Sequence, residues 1–277
     1  MKNQYFGDVN DFKKYGLLKQ LSHNGTSEIA VCWTLTEDDS RSDGSRIRYL
    51  NDPGRWRPLD PALFDFVRAQ VIDKGVRSVD ALAGSGILLN CKFFADLLPD
   101  DLTLRESYFE RFFRFARGSD LVFFDPDNGL GITAVKRGKR NSSKYVYPCE
   151  VERAWSDGHS VLFYQHFPRR PRDTFLRNLV GSLRHLPGLR SVYLFATSHV
   201  VFVLLPTAAH ELRFRGAAED IRRRWGGIVR VEVQGLAGPS LDSQRRRFEN
   251  RLRIVRERES AAPVSGYQAR QKILVTG

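Results

Sequence analysis

The sequence is short of cysteine, of glycine-rich motifs and of long apolar runs. Its 277 residues include three cysteines, Cys32, Cys91 and Cys149, which are widely spaced and form no CxxC pair. This spacing predicts neither a disulfide framework nor a metal site, and it favours a reducing compartment. We find no signal peptide and no apolar run of membrane-spanning length, so we expect a cytoplasmic protein without a membrane partner.

Acidic residues are also scarce relative to basic ones. Lysine and arginine total 44 against 32 aspartates and glutamates, which gives a formal net charge of +12. Such an excess indicates the kind of partner rather than the fold. Nucleic acid is the favoured partner, with DNA preferred over RNA. An anionic membrane surface, and an arginine-rich composition without functional meaning, remain the alternatives.

The alternation of helical and strand patterns predicts a single α/β domain over residues 1–259, with a C-terminal extension over 260–277. Apolar runs indicate strands at 29–35, 121–124, 160–164, 191–195, 200–205 and 228–233. The strands at 191–195 and 200–205 are too close in sequence for a parallel crossover, so we expect them to pair antiparallel. The fold class is therefore a Rossmann-like, mostly parallel sheet flanked by helices, with a late antiparallel hairpin.

Helical spacing makes further local predictions. Segments 92–98 and 106–117 are assigned to helices, as is a charged segment at about 243–259. Arg105 and the arginines that follow it are expected on the wet face of their helix. Asn10 or Asp11 is expected to cap the first helix of the chain.

The stretch from Leu121 to Gly131, LVFFDPDNGLG, is the centre of the predicted site. Its four apolar residues predict a buried strand, and Pro126 turns the chain out of the sheet. Asp125, Asp127 and Asn128 then lie at the carboxyl end of a central strand, where α/β sheets bind ligands. The alternative is a turn in which these side chains only cap backbone amides. We expect Asp127 to be the catalytic carboxylate, Asn128 to position water or sugar, and Asp125 mainly to fix the turn.

Polar residues elsewhere are expected at the same edge of the sheet. An N-terminal arm is predicted to fold over this edge, although a capped helix packed on the sheet would have the same pattern. Gln165 and His166 follow the strand at 160–164, and a structural role for His166 is the alternative. The predicted substrate-binding residues are Tyr5, Asp8, Asn10, Asp11, Lys14, Gln165 and His166.

Clusters of cations near these segments predict contacts with a nucleic-acid backbone. A solvated basic surface is the alternative reading of each cluster. The predicted backbone-binding residues are Arg46, Arg48, Lys136, Arg137, Lys139, Arg140, Lys144, Arg169, Arg170 and Arg172.

The arm GDVNDFKKY, at 7–15, and the Asp125-Pro126-Asp127-Asn128 motif together resemble bacterial ribosomal-RNA adenine-N6 methyltransferases. Those enzymes have a polar Gly-Asn-x-x-Asp arm and an Asp-Pro-Pro-Tyr site. The resemblance implies a Rossmann-like fold and S-adenosylmethionine as cofactor. The sequence departs from the family where Asp127-Asn128 replaces Pro-Tyr, so the aromatic that stacks on adenine is missing. It departs again after the first strand, which lacks the glycine loop that holds the cofactor.

Both departures affect methyl transfer, so we expect different chemistry on a similar scaffold. The favoured function is a cofactor-independent DNA glycosylase that hydrolyses the N-glycosidic bond of an extruded, modified or normal base. Such an enzyme would suit defence against phages with modified DNA. A methyltransferase of RNA or DNA, a metal-dependent nuclease using Asp125 and Asp127, and a non-catalytic nucleic-acid-binding protein are the alternatives.

Overall fold

A sheet of seven strands organises the chain in the computed structural model, which describes residues 1–23, 25–39, 41–131 and 134–236. The described part of Met1–Leu236 forms one compact unit. The helix predicted at 243–259 and the domain boundary predicted at 259 lie outside the described residues.

The strands confirm the predicted fold class. Their bounds are β1 (Ile29–Cys32), β2 (Cys91–Phe94), β3 (Leu121–Phe124), β4 (Gly129–Leu130), β5 (Tyr145–Val146), β6 (Ser160–His166), β7 (Ser191–Ala196), β8 (Val200–Leu205) and β9 (Arg230–Gly235). The main sheet has the order β2-β1-β3-β6-β8-β7-β9, and β4 and β5 form a separate parallel pair. Strands β2, β1, β3 and β6 pair in parallel, whereas the β7–β8 hairpin and β9 pair antiparallel. Five of the seven strands therefore run in one direction.

Helices cover both faces of this sheet. Helices α1 (Val9–Leu21), α3 (Pro61–Arg68) and α7 (Glu211–Trp225) share one apolar cluster with alternate strand residues such as Val31 and Phe123. Helices α4 (Leu102–Phe115), α5 (Pro148–Ser156) and α6 (Arg172–Leu183) share the other, with Cys32 and Phe124. A short helix, α2 (Pro53–Trp56), precedes α3. Because successive strand side chains point to opposite faces, the apolar runs of β1 and β3 supply both clusters.

The order of the strands creates a crevice beside β3. The chain leaves β1 to form β2 on one side of it and later returns to form β3 on the other side. The carboxyl ends of β1 and β3 therefore flank a topological switch point, which is where open α/β sheets bind ligands.

The helix predicted at 92–98 is wrong, because the chain there forms the edge strand β2, paired with β1. Phe93 stacks on Trp33 on one face, with ring centroids 5.7 Å apart, and Phe94 packs against Tyr108 of α4 on the other. Consecutive side chains reach opposite faces of the sheet only when they alternate as in a β-strand, and these contacts override the local helical pattern.

Two predictions about α1 and α4 also need correction. The cap of α1 is Asp8, whose carboxylate accepts a hydrogen bond of 2.9 Å from the Asn10 amide; Asn10 and Asp11 lie inside the helix. Arg105 does not lie on a wet face but is fully buried. Its guanidinium contacts the Glu150 carboxylate through bonds of 2.7 and 2.8 Å, because buried arginine needs a bidentate partner.

The Arg105–Glu150 pair gives a test of the fold. We expect Arg105→Met to lower the free energy of unfolding by about 3 kcal/mol, because Glu150 loses its bidentate partner in a buried site. Arg111→Met on the same helix is the control, since its pair with Asp96 is exposed and worth about 0–1 kcal/mol. Urea denaturation at neutral pH measures both, and equal losses in the two variants would contradict the assignment.

Candidate functional site

A polar cavity of about 350 Å³ opens at the switch point between β1 and β3. It brings together most of the residues predicted from the sequence, although they come from three separate parts of the chain. The predicted catalytic and substrate-binding residues that line it are Tyr5, Asp8, Asn10, Asp11, Lys14, Asp125, Asp127, Asn128 and His166.

At the floor of this cavity one ammonium group joins two carboxylates. Lys14 Nζ lies 2.6 Å from Asp11 Oδ1 and 2.6 Å from Asp125 Oδ2, and all three side chains are buried. Three aromatic rings surround the ammonium at 5.8 to 5.9 Å, those of Tyr15, Trp33 and Tyr164. The ion cluster therefore lies in a medium of low dielectric, where charge is expensive unless it is paired.

The cluster carries one more carboxylate than it has cations. Burial raises the pKa of the Asp11 carboxyl to about 6, against the opposing effect of Lys14. Burial likewise raises the pKa of Asp125. For Lys14, burial alone would lower the pKa, but the two carboxylates outweigh burial and raise it. The lysine therefore stays charged, and the carboxyl pair retains a proton up to mildly acidic pH.

Asp127 lies in a different electrostatic environment. Burial would raise its pKa, but the Met1 ammonium, 2.8 Å from Oδ1, and the Thr36 hydroxyl, 2.9 Å from Oδ2, lower it below the usual value. Lys2 adds to this effect. Asp127 is thus held as a carboxylate beside a pair that is easily protonated.

The turn that carries these acids is fixed by the backbone. Asn128 N donates to the Lys144 carbonyl, and the Asn128 carbonyl accepts from His166 N, both at 3.0 Å. Gln165 Oε1 accepts from Leu130 N at 2.9 Å, and its amide nitrogen donates to the His166 carbonyl at 2.8 Å. Gly129 has φ +120° and leaves no room for a Cβ beside the Gln165 amide. Gln165 therefore holds the turn, whereas Asn128 and His166 line the cavity.

The arm over the cavity is anchored by Asp8 and leaves one polar atom unused. Asp8 Oδ2 accepts from the Arg46 amide at 3.1 Å, in addition to capping α1. Asn10 is 7% exposed, and its Oδ1 has no hydrogen-bond partner among the described residues. An unpaired buried acceptor on a cavity wall is a position for a ligand donor.

The predicted backbone-binding cations fall into three groups. Arg46 and Lys144 line the cavity, and Arg46 and Arg172 line a second one described below. Arg137 is paired with Glu106 and Glu150 at 3.2 Å each. The others lie on the exposed surface, namely Arg48, Lys136, Lys139, Arg140, Arg169 and Arg170.

Sequence reasoning missed several residues around the cavity. Several of them belong to the loop that follows β1, such as Asp39 and Asp43. Thr36 contacts Asp127, and Tyr164 faces Lys14 from the neighbouring strand β6. The remaining residues of the cavity wall not assigned to the site from the sequence are Met1, Lys2, Asp39, Arg41, Asp43, Gly44 and Pro126.

Two further features concern the described residues alone. They contain no group of three histidine, cysteine or acidic side chains placed to hold a metal ion. None of their helices combines the length and the apolar character needed to cross a membrane.

Comparisons with known proteins leave the family open. No family model matches the chain, and no curated protein matches it. Among solved structures, it is similar to protein LPL1258 from Legionella pneumophila strain Philadelphia 1, described under the family model DUF519. The two share 11% sequence identity with a TM-score of 0.42, over 83% of this chain and 97% of that one.

The cluster around Lys14 predicts a pH-dependent effect on stability. Without the ammonium, the folded-state pKa values of Asp11 and Asp125 should rise further above their unfolded values. Carboxyl groups with raised folded-state pKa values stabilise the folded state at low pH, where they are protonated. This stabilisation is lost as the pH rises through the folded-state pKa. We expect Lys14→Met to cost about 3–5 kcal/mol at pH 8 and clearly less at pH 5.

Urea denaturation at the two pH values measures this difference. Lys74→Met removes an exposed lysine and is the matched control, expected to change little at either pH. A loss in Lys14→Met that is the same at pH 5 and pH 8 would show that the carboxyl pair does not depend on the lysine.

Proposed function

We propose that the protein is a base-acting hydrolase that cleaves the N-glycosidic bond of an extruded nucleotide in a nucleic acid, without a cofactor. One observation carries this proposal: a single crevice holds carboxyl groups whose pKa values are shifted in opposite directions. Such a division, one group retaining a proton and the other staying ionised, assigns an acid and a charge-stabilising base.

The roles follow from this division. The protonated Asp11–Asp125 pair donates a proton to the departing base as the bond from C1′ to nitrogen breaks, and that nitrogen keeps the bonding electrons. The Asp127 carboxylate stabilises the positive charge that develops on the sugar. Water then bonds to C1′ and gives up its proton to a carboxylate of the site, which balances the reaction. Asn128, beside Asp127, positions this water.

Recognition of an extruded base is supported by the walls of the cavity. Tyr5 and Tyr164 supply aromatic surface, and the free Oδ1 of Asn10 can accept a hydrogen bond from an exocyclic amine. Arg46 and Lys144 at the cavity supply positive charge for the adjoining backbone. DNA in the cytoplasm is the proposed setting; the three cysteines, all unpaired, support a reducing compartment.

A methyltransferase is the second candidate, favoured by the position of Asp125-Pro126 at the end of a central strand beside β1. The residues present do not fit S-adenosylmethionine. The loop after β1 has a single glycine, Gly44, instead of a glycine-rich run, and Met1 N donates there to the carbonyls of Asp125 at 2.9 Å and Thr34 at 3.3 Å. Met1 thus bridges the carboxyl ends of β1 and β3 where a glycine-rich loop would hold the cofactor, and no step is assigned to that cofactor.

Base removal should leave abasic sites in DNA, which alkali converts to strand breaks. We expect such breaks without added cofactor, and a loss of about 100-fold or more in rate for Asp127→Asn, since it removes the ionised carboxylate. Asp65→Asn is the control, because that exposed acid pairs with Arg57 and lies outside the cavity. Full activity in Asp127→Asn, or product formed only with S-adenosylmethionine, would overturn the mechanism.

The pH dependence of kcat/KM gives a second test. The acid must be protonated and Asp127 ionised, so activity should be high at pH 5 and fall as pH rises through about 6, the pKa of Asp11. In Asp11→Asn the remaining carboxyl loses a negative neighbour, so its pKa should fall and the decline should begin at lower pH. A rate that increases from pH 5 to pH 8 in the wild type would contradict this assignment.

A further inference from the structure

A second cavity, of about 650 Å³, lies beside the first. It is bounded by the first turns of α1, by the β7–β8 turn and by the chain that follows α7. Its charged and aromatic lining is Lys13, Arg46, Arg55, Trp56, Phe167, Arg172, Asp173, His199, Arg230 and Glu232. Five of these residues are lysines or arginines and two are acids.

Lys13 is the unusual member of this lining. The residue is 7% exposed, yet among the described residues it forms no ion pair and no side-chain hydrogen bond. Its ammonium lies 5.9 Å from the centre of the Trp56 ring, and burial and Arg46 lower its pKa against the opposing effect of the Asp8 carboxylate. A largely buried lysine without an ion pair or hydrogen bond among the described residues is costly, so this position favours an anion.

Two arginines of the same cavity also lack a carboxylate partner among the described residues. Arg172 donates to the Ser198 carbonyl at 2.5 Å and stacks on the Phe167 ring at 4.9 Å. Arg55 stacks on Trp56 at 5.6 Å. These contacts orient the guanidinium groups but leave their charge uncompensated. Planar, oriented guanidinium groups suit the oxygens of a phosphoryl group.

The acids of the cavity do not neutralise this charge. Glu232 is paired with Arg230 at 2.8 Å, and Asp8 outside the cavity pairs with Arg46 at 3.5 Å. Within the described lining, Asp173 is then the one acid left to offset the charges of Lys13, Arg55 and Arg172. The effect is visible at His199, whose pKa is lowered by burial and by Arg46, Lys13, His166 and Arg172 around it.

The two cavities adjoin one another. Arg46 lines both of them, and Lys13 of the second is the chain neighbour of Lys14 in the first. A ligand that occupies both can therefore place one group at the carboxylates and another at the unpaired cations.

We propose that the second cavity is a phosphoryl-binding site centred on Lys13, Arg55 and Arg172. Where the first cavity acts on a nucleotide, which rests on the function proposed above, this site holds a phosphate of the same substrate. The substrate class is then a phosphate-bearing nucleotide or strand and not a free nucleoside.

Calorimetry with inorganic phosphate at pH 7, together with the melting temperature, tests the site directly. We expect the wild type to bind phosphate and to melt at a higher temperature in its presence, because ligand binding stabilises the folded state. Lys13→Met should weaken binding by about tenfold or more and lose the shift. Lys74→Met, an exposed lysine outside both cavities, is the control and should bind as the wild type does.

Equal affinity in Lys13→Met and wild type would overturn the proposal. Should Lys13→Met not fold, Arg172→Gln replaces it, since that side chain is exposed, and the same loss is expected.

The source of the phosphoryl group is distinguished by a second titration, with a single-stranded oligodeoxynucleotide at low salt. If the strand binds and free phosphate does not, Lys13→Met must weaken strand binding by about tenfold for the site to stand. Strand binding unaffected by Lys13→Met would overturn it. Neither titration measures base release, so phosphate binding without abasic sites would refute only the glycosylase proposal.

Discussion

The ammonium of Lys14 between Asp11 and Asp125 is the contact on which the site depends. It joins residues 111 positions apart in the chain and fixes α1 against the carboxyl end of β3. Because Asp11 and Lys14 both belong to α1, the arm cannot leave the sheet without leaving the buried Asp125 carboxylate without its cation. The same contact that closes the arm also sets the protonation of the cavity floor, so structure and chemistry share one interaction.

The surrounding layers support that contact in different ways. The aromatic rings of Tyr15, Trp33 and Tyr164 exclude water and keep the charges strongly coupled. The backbone bonds around Asn128 and Gln165 fix the turn so that Asp127 faces a separate set of positive groups. Asp125 and Asp127, on either side of Pro126, thereby have pKa values shifted in opposite directions by their surroundings.

The strand and turn at 121–131 could be predicted because their signals are local: an apolar run followed by proline and glycine. The arm could be placed because Asp8, Asn10 and Asp11 are polar residues concentrated at the start of a helix. β2 could not be recognised, since its strand character comes from Trp33 on one face and α4 on the other. Arg105 and Lys13 are likewise ordinary cations in sequence; only packing shows that Arg105 is paired and that Lys13 has no ion pair within the described part of the chain.

Lys13 and Lys14 lie at consecutive positions of α1, and this fixes the relative positions of the lysines that line the two cavities. Neighbouring residues on an α-helix differ by about 1.5 Å along its axis and about 100° around it. The two side chains therefore leave α1 in different directions, Lys14 toward the first cavity and Lys13 toward the second. Because both side chains are carried by one helix, loop motion does not change the spacing of the two backbone positions. A molecule that contacts both ammonium groups must be long enough to reach from one cavity to the other. A shorter molecule contacts only one of them.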